Sequence, residues 1–563
     1  MKMKVDVKKI IWSILLVVLM AIVYYFTIPA VNLRNAGFLA YVLFVFVVIA
    51  LIVYIWVYEN VPYGSKLKYV WAPALLVVLI IIIGGISSWN LFHAKAAREV
   101  AQVTEVETFE EGFSDLLGSE ATLNNLPIVD YDTAKLLGDK KVAGIKNSTW
   151  YEVDKEYNLI KYQGKYYRLS VIDYGGVFKY AKAKKTGLPG YVLVDVVPKK
   201  GTVTEEAQIV LTEKPIKYSP GAFFSYDLKR HLRGQFPSAI FDKSYLEIDE
   251  EGIPYWITGV RTPTRGLFGV QVVKSFVVTN AETGESYMCN IDEAPEWIDH
   301  IFSLSYLMNI AHNHYAYVNG YVNNIFSKTG VLRLSYDYRD RHGNDKESEA
   351  GKYANFYGYS SIIGPDGDVL FYTGLTAANN AESNLGWLTI NARTGAVTQY
   401  SVVGAEESSA QSAVETLVQA QRWEATFPLP VNIAGQPSYL MALKGKSGLV
   451  QGYGLVNVEN YSLAVFSETL EGTVNDYLEK SGNTSEIIID DERVTETKSG
   501  EITAIYTAEL NGTTQFYYVI DGELYRCSIT VNEKQVLFVV GDRVTFEAEE
   551  QGDIKTIIEI SLD

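Results

Sequence analysis

The densest grouping of histidines in this sequence is His312-Asn-His314, with His300 upstream. Imidazoles ligate transition metals. On a helix, however, positions two apart do not share a face, and no Asp or Glu stands at an obvious ligand spacing. His312 and His314 are therefore the nearest the chain comes to metal ligands, and neither a metal nor another cofactor is expected. Asp366-Gly-Asp368 and Asp249-Glu-Glu251 lack the oxygen-ligand series of a calcium loop and read as solvated turns. The stretch from Asp337 to Glu349 reads as a charged loop. There is no Gly-x-Ser-x-Gly, His-Glu-x-x-His or Walker-type loop, so no catalytic residue is assigned. Carboxylates brought together from distant segments, as glycoside cleavage uses, stay open at this level.

Lys229, Arg230 and Arg233, with His231 among them, form a basic patch in an acidic surround. These three cations are the candidate binding residues, suited to an anionic polymer or to lipid head groups. The alternative is a helix face paired with nearby acids. Cys289 and Cys527 are too few for a disulfide framework or a zinc site. They read as small buried hydrophobes, and a bond between them stays open. The 40 tyrosines suit β surfaces and binding surfaces alike.

The elements that must carry these residues divide sharply. Residues 10–29, 37–58 and 69–86 contain no charge, and each run is near the ~20 residues a helix needs to cross a bilayer. Trp12, Trp56, Trp71 and Trp89 fall near their ends, where interfacial aromatics collect. No Asp, Glu, Lys, Arg or His lies inside the runs, which argues against an ion path. Residues 1–93 carry a net +5 and the whole chain −17, leaving −22 for the remainder. So acidic a body repels phosphates, and nucleic acid is excluded as a partner. Four lysines before the first run, and Lys66 and Lys68 between the second and third, outnumber Arg34, Lys95 and Arg98. The positive-inside rule then predicts a cytoplasmic N-terminus and an extracytoplasmic 94–563.

Beyond the membrane segment (1–90) the pattern predicts a helical stalk over 91–140, with Val100, Val103, Val106 and Phe109 at helical spacing. An internal repeat follows. Phe276-Val-Val-Thr-Asn-Ala-Glu-Thr-Gly284 and Trp387-Leu-Thr-Ile-Asn-Ala-Arg-Thr-Gly395 are both β-type runs ended by the same turn chemistry. Hairpins precede them at 246–257 and 362–372. Weaker copies lie at 159–169 and 430–441, leading to 191–194 and 455–458. Helices are expected between them: at 223–233 behind Ser219-Pro220, from Glu296 to His314, from Glu406 to Arg422, and from Ser467 to Lys480. The divisions expected are 141–245, 246–345 and 346–482 for the α+β modules, with 483–499 as a polar linker. Residues 500–563 read almost entirely as strands, 535–539 among them, and predict a small closed barrel of the oligonucleotide/oligosaccharide-binding (OB-like) type. The class is α+β, with three transmembrane helices, repeated antiparallel hairpin and helix modules, and a C-terminal barrel.

The hairpin, apolar strand and Asn-Ala-x-Thr-Gly turn resemble PepSY-type repeats, small α+β modules of bacterial secreted and membrane proteins. Asn280 and Asn391 depart from that pattern, which commonly has an acid there. The order of parts, with Leu126-Pro-Ile-Val-Asp130, Lys229-Arg-His-Leu-Arg233 and Ala425-Thr-Phe-Pro428, is similar to an uncharacterised group of membrane-anchored proteins of Gram-positive bacteria. This resemblance implies a bacterial plasma-membrane setting and no particular activity. The function expected is a non-enzymatic scaffold or regulatory binding protein of the envelope, with the bilayer and a protein as partners. The rivals are a membrane-anchored cell-wall or peptide hydrolase and an accessory subunit of a transport or secretion complex.

Overall fold

A computed structural model describes residues 7–57, 66–116, 126–196, 207–338, 358–378, 383–482, 496–510, 513–529, 531–551 and 554–562. The linker expected at 483–499 lies mostly outside them, as does most of the charged stretch after Asp337. Three helices lead the chain: α1 (Val7–Thr27), α2 (Ala36–Val57) and α3 (Ala72–Ser87). Pro73 sits in the first turn of α3, where a missing N–H costs nothing. Three helical spans, Val7–Thr27, Ala36–Trp56 and Tyr69–Ser87, are long and apolar enough to cross a membrane. They associate the chain with one.

The stalk expected over 91–140 is not one helix. α4 (Asn90–Arg98) is followed by the strand β1 (Val103–Val106). The valines at helical spacing are β-branched and stiff at χ1, and a free sheet edge takes up Val103 to Val106 instead.

The body repeats one plan four times: a helix, then a four-stranded antiparallel meander. Unit 1 has α5 (Tyr131–Val142), the short strand β2 (Tyr151–Val153), β3 (Asn158–Tyr162), β4 (Lys165–Tyr174), α6 (Val177–Ala183), β5 (Leu188–Asp195) and β6 (Ala207–Ile216). Unit 2 has α7 (Leu228–Gln235), β7 (Ile240–Ile248), β8 (Pro254–Arg265), β9 (Gly269–Asn280) and β10 (Ser286–Asn290). Unit 3 has α8 (Leu304–Ala316), α9 (Gly320–Ile325), β11 (Leu332–Leu334), β12 (Ser360–Ile363), β13 (Val369–Ala377), β14 (Ser383–Asn391), β15 (Val397–Tyr400) and β16 (Gly404–Ala405), with β1 parallel to β15. Unit 4 has α10 (Glu407–Leu417), β17 (Glu424–Ala425), β18 (Leu429–Ile433), β19 (Gln436–Lys444), β20 (Val450–Asn457) and β21 (Ala464–Ser467). A closing helix, α11 (Leu470–Ser481), ends at Gly482, whose left-handed φ caps it.

Two hydrogen-bond signatures recur. After the third meander strand an Asn side chain accepts from the backbone N–H groups two and three residues on. Asn280 takes Glu282 and Thr283 (3.0 and 2.9 Å), Asn391 takes Arg393 and Thr394 (2.9 and 2.9 Å), and Asn457 takes Glu459 and Asn460 (3.0 and 2.9 Å). The carbonyl one residue past the third strand then accepts from the segment leading into that unit's helix. Val196 O takes Ile128 and Val129, Ala281 O takes Lys217 and Tyr218, Ala392 O takes Ile301 and Phe302, and Val458 O takes Ala405. Each helix is thereby tied back to its own sheet.

Several helix starts differ from the sequence expectation. Ser219 does not cap a helix at Pro220. Its hydroxyl donates to the buried Asp173 (2.7 Å), and α7 is capped by Asp227, which accepts from Arg230 N (2.8 Å). α8 begins at Leu304 because Ser303 accepts from Tyr306 N. The segment 296–303 is spent instead on reaching Ala392.

The C-terminal barrel is closed by β22 (Glu496–Leu510), β23 (Thr513–Ile520), β24 (Glu523–Ser528), β26 (Ile554–Leu562) and β25 (Arg543–Gln551) in that spatial order, with only β24 and β26 parallel. The strand expected at 535–539 is a 3-10 turn over Glu533–Leu537. Gln535 points inward there, accepting from Tyr518 Oη (3.1 Å) and donating to Ser528 O (2.8 Å).

Candidate functional site

The basic helix α7 sits where unit 2 meets the membrane helices. Arg230 donates to Tyr25 O at 2.8 Å, and its guanidinium carbon lies 3.8 Å from the centre of the Tyr25 ring. The Lys229 ammonium donates to Thr27 O at 3.3 Å. Both carbonyls belong to the last turn of α1, where helix carbonyls lack partners and the dipole favours cations. Arg233 turns the other way and donates to the carbonyls of Phe236, Pro237 and Ala239 (3.2, 3.1 and 2.6 Å). That turn is met in its turn by the membrane segment: Val31 N donates to Pro237 O and Asn32 Nδ2 to Ser238 O. The β8–β9 tip does the same at α3, where Phe268 N donates to Ser88 Oγ (2.8 Å). A Cβ at Gly84 would come within 2.7 Å of Leu267 and Phe268, so glycine admits the tip.

The basic patch is therefore a joint, only partly an open surface. Of the acid pairing open to this patch, one ion pair is present among the described residues: Arg230 with Asp227, at 3.3 Å. The joint binds the ends of α1 and α3 nearest the β units and the start of α2. The Val7 end of α1 is then about 30 Å away, at 1.5 Å per residue.

Two cavities adjoin the joint, and Lys229 and Phe241 line both. The upper one, about 490 Å³, lies between units 1 and 2, with Leu228, Leu232, Trp256 and Phe241 among its apolar walls. Its volume is in the range of small-molecule sites. Four carboxylates stand on it: Asp154, Glu156, Asp227 and Asp242. Three are held by cations, Glu156 by Lys243 (2.5 Å), Asp242 by Arg261 (2.6 Å) and Asp227 by Arg230. Burial pushes the Asp154 carboxyl above its usual range. The lower cavity, about 550 Å³, runs from Lys229 and Arg233 down between α1 and α2.

The histidines do not gather. His314 Nδ1 lies 3.2 Å from the carbonyls of Arg98 and Ala101, at the end of α4. His312 is two positions earlier on α8, and no group of three metal-ligating side chains occurs among the described residues. His300 is in the core, its Nδ1 2.8 Å from Glu247 Oε1. Asp299 beside it accepts from Lys161 N (2.7 Å), and burial with Glu247 nearby pushes its pKa up to about 8. Asp366 and Asp368 are not simply solvated: Asp368 is paired with Arg393 of the Asn391 turn and accepts from Asn391 Nδ2 (2.8 Å). Cys289 and Cys527 are both free thiols.

Asp154, Asp242 and the Tyr25 carbonyl escape sequence reasoning because no local pattern joins them. The nearest local sign is Asp242-Lys-Ser244, polar side chains clustered inside a β-type run. No family model matches the chain, and no curated protein matches it.

Proposed function

We propose that this protein is a non-enzymatic scaffold or regulatory binding protein of the bacterial envelope, anchored in the plasma membrane and built from PepSY-like units. Its N-terminus lies in the cytoplasm and residues 94–563 lie outside, in keeping with the four lysines that precede the first uncharged run. The observation that carries the binding role is on the barrel. Val536, Leu537, Val539 and Val540 are 63, 73, 59 and 61% exposed. Four apolar side chains close in sequence and facing water, on a body this acidic, support the reading of a protein-docking surface. Around them, Phe538 and Gln535 are buried, so the turn is held in shape before any partner arrives, which lowers the entropic cost of binding.

The hydrolase alternative needs a free carboxylate pair in a cavity. On the upper cavity Glu156 and Asp242 are tied to Lys243 and Arg261, which favours binding there, while burial raises the carboxyls of Asp154 and Asp227. The test is in-cell crosslinking of the full chain in its native membrane, comparing wild type with a Val536→Asp, Leu537→Asp, Val540→Asp variant. A crosslinked protein lost in the variant, with membrane level unchanged, supports the reading. An identical crosslinking pattern in the two overturns it. Orientation is checked with Tyr461→Cys, which should react with an impermeant thiol reagent in intact cells.

A further inference from the structure

We infer that the lower cavity is a lipid site, in which one anionic glycerophospholipid lays an acyl chain between α1 and α2 and sets its phosphate against Lys229 and Arg233. This stands on the groove and is independent of what the barrel binds, so either can fail alone.

The vertical order of the groove is the order of a lipid. Its floor is Val23 of α1 with Ala40, Tyr41 and Phe44 of α2, all within the apolar spans. Its mouth is Lys229 and Arg233, just past the end of α1. A soluble anion would leave that floor uncovered, and a neutral hydrophobe would offer no acceptor to the remaining donors of the two cations.

The charge points to an anion. Among the described residues no carboxylate lines the groove. The mouth also lies beside Asn35 and Gly37, at the start of α2, whose helix dipole offsets that of the α1 end at Thr27 and leaves the two cations to set the sign. A zwitterionic head group would bring its own cation into this field.

Each cation keeps donors to spare. Arg233 is 7% exposed, and its Nε–H has no hydrogen-bond partner among the described residues. Lys229 is exposed, and of the three donors an ammonium carries, Thr27 O takes one. Phosphate oxygens are the strong acceptors such donors match.

The test uses the full chain, purified in detergent and stripped of lipid. It is titrated with phosphatidylglycerol, with phosphatidylcholine of the same acyl chains, and with inorganic phosphate, and bound molecules are counted by native mass spectrometry. One phosphatidylglycerol should be held about tenfold more tightly than phosphatidylcholine, with no phosphate adduct. Lys229→Met should cut that preference about fivefold, the usual effect of one cation on an anionic lipid. Ala40→Trp fills the floor and leaves both cations in place, and should weaken phosphatidylglycerol binding by a similar factor. Arg233 is left intact because it holds the 236–239 turn. Equal retention of the two lipids, indifference to both substitutions, or inorganic phosphate binding as well as the lipid does would overturn the inference.

Discussion

The imidazole of His300 and the carboxyl of Glu247 meet at 2.8 Å in the core between units 2 and 3, where the two residues are 2 and 0% exposed. Burial lowers His300 to about 4 and lifts Glu247 well above the usual carboxylate range. Both shifts have one cause, since each ion would be left without water, and both favour a hydrogen bond over an ion pair. His300 N also donates to the same Glu247 oxygen (3.2 Å).

Glu247→Gln, which keeps shape and hydrogen bonding, should therefore cost less than about 1 kcal/mol, whereas Glu247→Ala strands the imidazole and a backbone N–H at about 1–3 kcal/mol. Chemical denaturation of the detergent-solubilised chain measures both. A Glu247→Gln loss as large as that of Glu247→Ala would mean that the pair is ionic.

The pH dependence has a definite sign. Asp299 titrates near 8 in the fold against an ordinary 3.8. Its contribution to stability is complete below the ordinary value and is lost as pH rises through the raised one. His300 works the opposite way: its contribution is present above 6.5 and is lost as pH falls toward 4. Above pH 6.5 the Asp299 effect is left without that opposition. The melting temperature should fall from pH 6.5 to 8, and Asp299→Asn should flatten that slope while keeping the Lys161 hydrogen bond. Equal slopes for wild type and variant would show that Asp299 is not perturbed.

Gly374 on β13 faces Glu407, the first residue of α10. Glu407 accepts from Tyr372 Oη (2.6 Å) and Ser335 Oγ (2.8 Å). A Cβ at Gly374 would lie 2.1 Å from its Oε1. Gly374→Ala should destabilise the chain by about 1–3 kcal/mol, and by less in a Glu407→Ala background, where the closest clash is gone and only Asn384 Nδ2, 2.9 Å away, is left. A double-mutant cycle reads the coupling. Strict additivity would remove the contact as the cause.

The repeated turns should differ in worth. Asn280→Ala removes two backbone hydrogen bonds, as a lost cap does, at about 1 kcal/mol, together with a neutral contact to the Tyr255 hydroxyl. Asn391→Ala removes the same two and also the bond to Asp368, which pairs with Arg393. Urea midpoints should therefore fall further for Asn391→Ala than for Asn280→Ala. The reverse order would show that the Asp368 contact adds nothing.

Local chemistry made much of this fold legible. Gly252 and Gly367 take positive φ in the hairpins, and Asn280 and Asn391 close the turns that the repeated motif marks. Asn457 makes the same turn without the Thr-Gly that advertises it, so unit 4 is fainter in sequence than in space. Non-local partners stayed hidden. Val103 to Val106 have nothing near them to mark them as a strand, and Asp154 and Asp242 line one cavity only because units 1 and 2 pack together. Lys229, Arg230 and Arg233 were visible as cations. That their partners include the end carbonyls of α1 was not, because backbone groups carry no sequence signature.

The pairing of Val103 with Val397 also has a temporal side. The strand that leaves the membrane first is completed by one translated roughly 300 residues later, which at ~5–20 residues per second is about 15–60 s of synthesis. For that time β1 is an unpaired edge held close to the bilayer. The nascent chain must keep it from other strands, and β15 of unit 3 then locks the segment that follows the membrane helices to the middle of the chain.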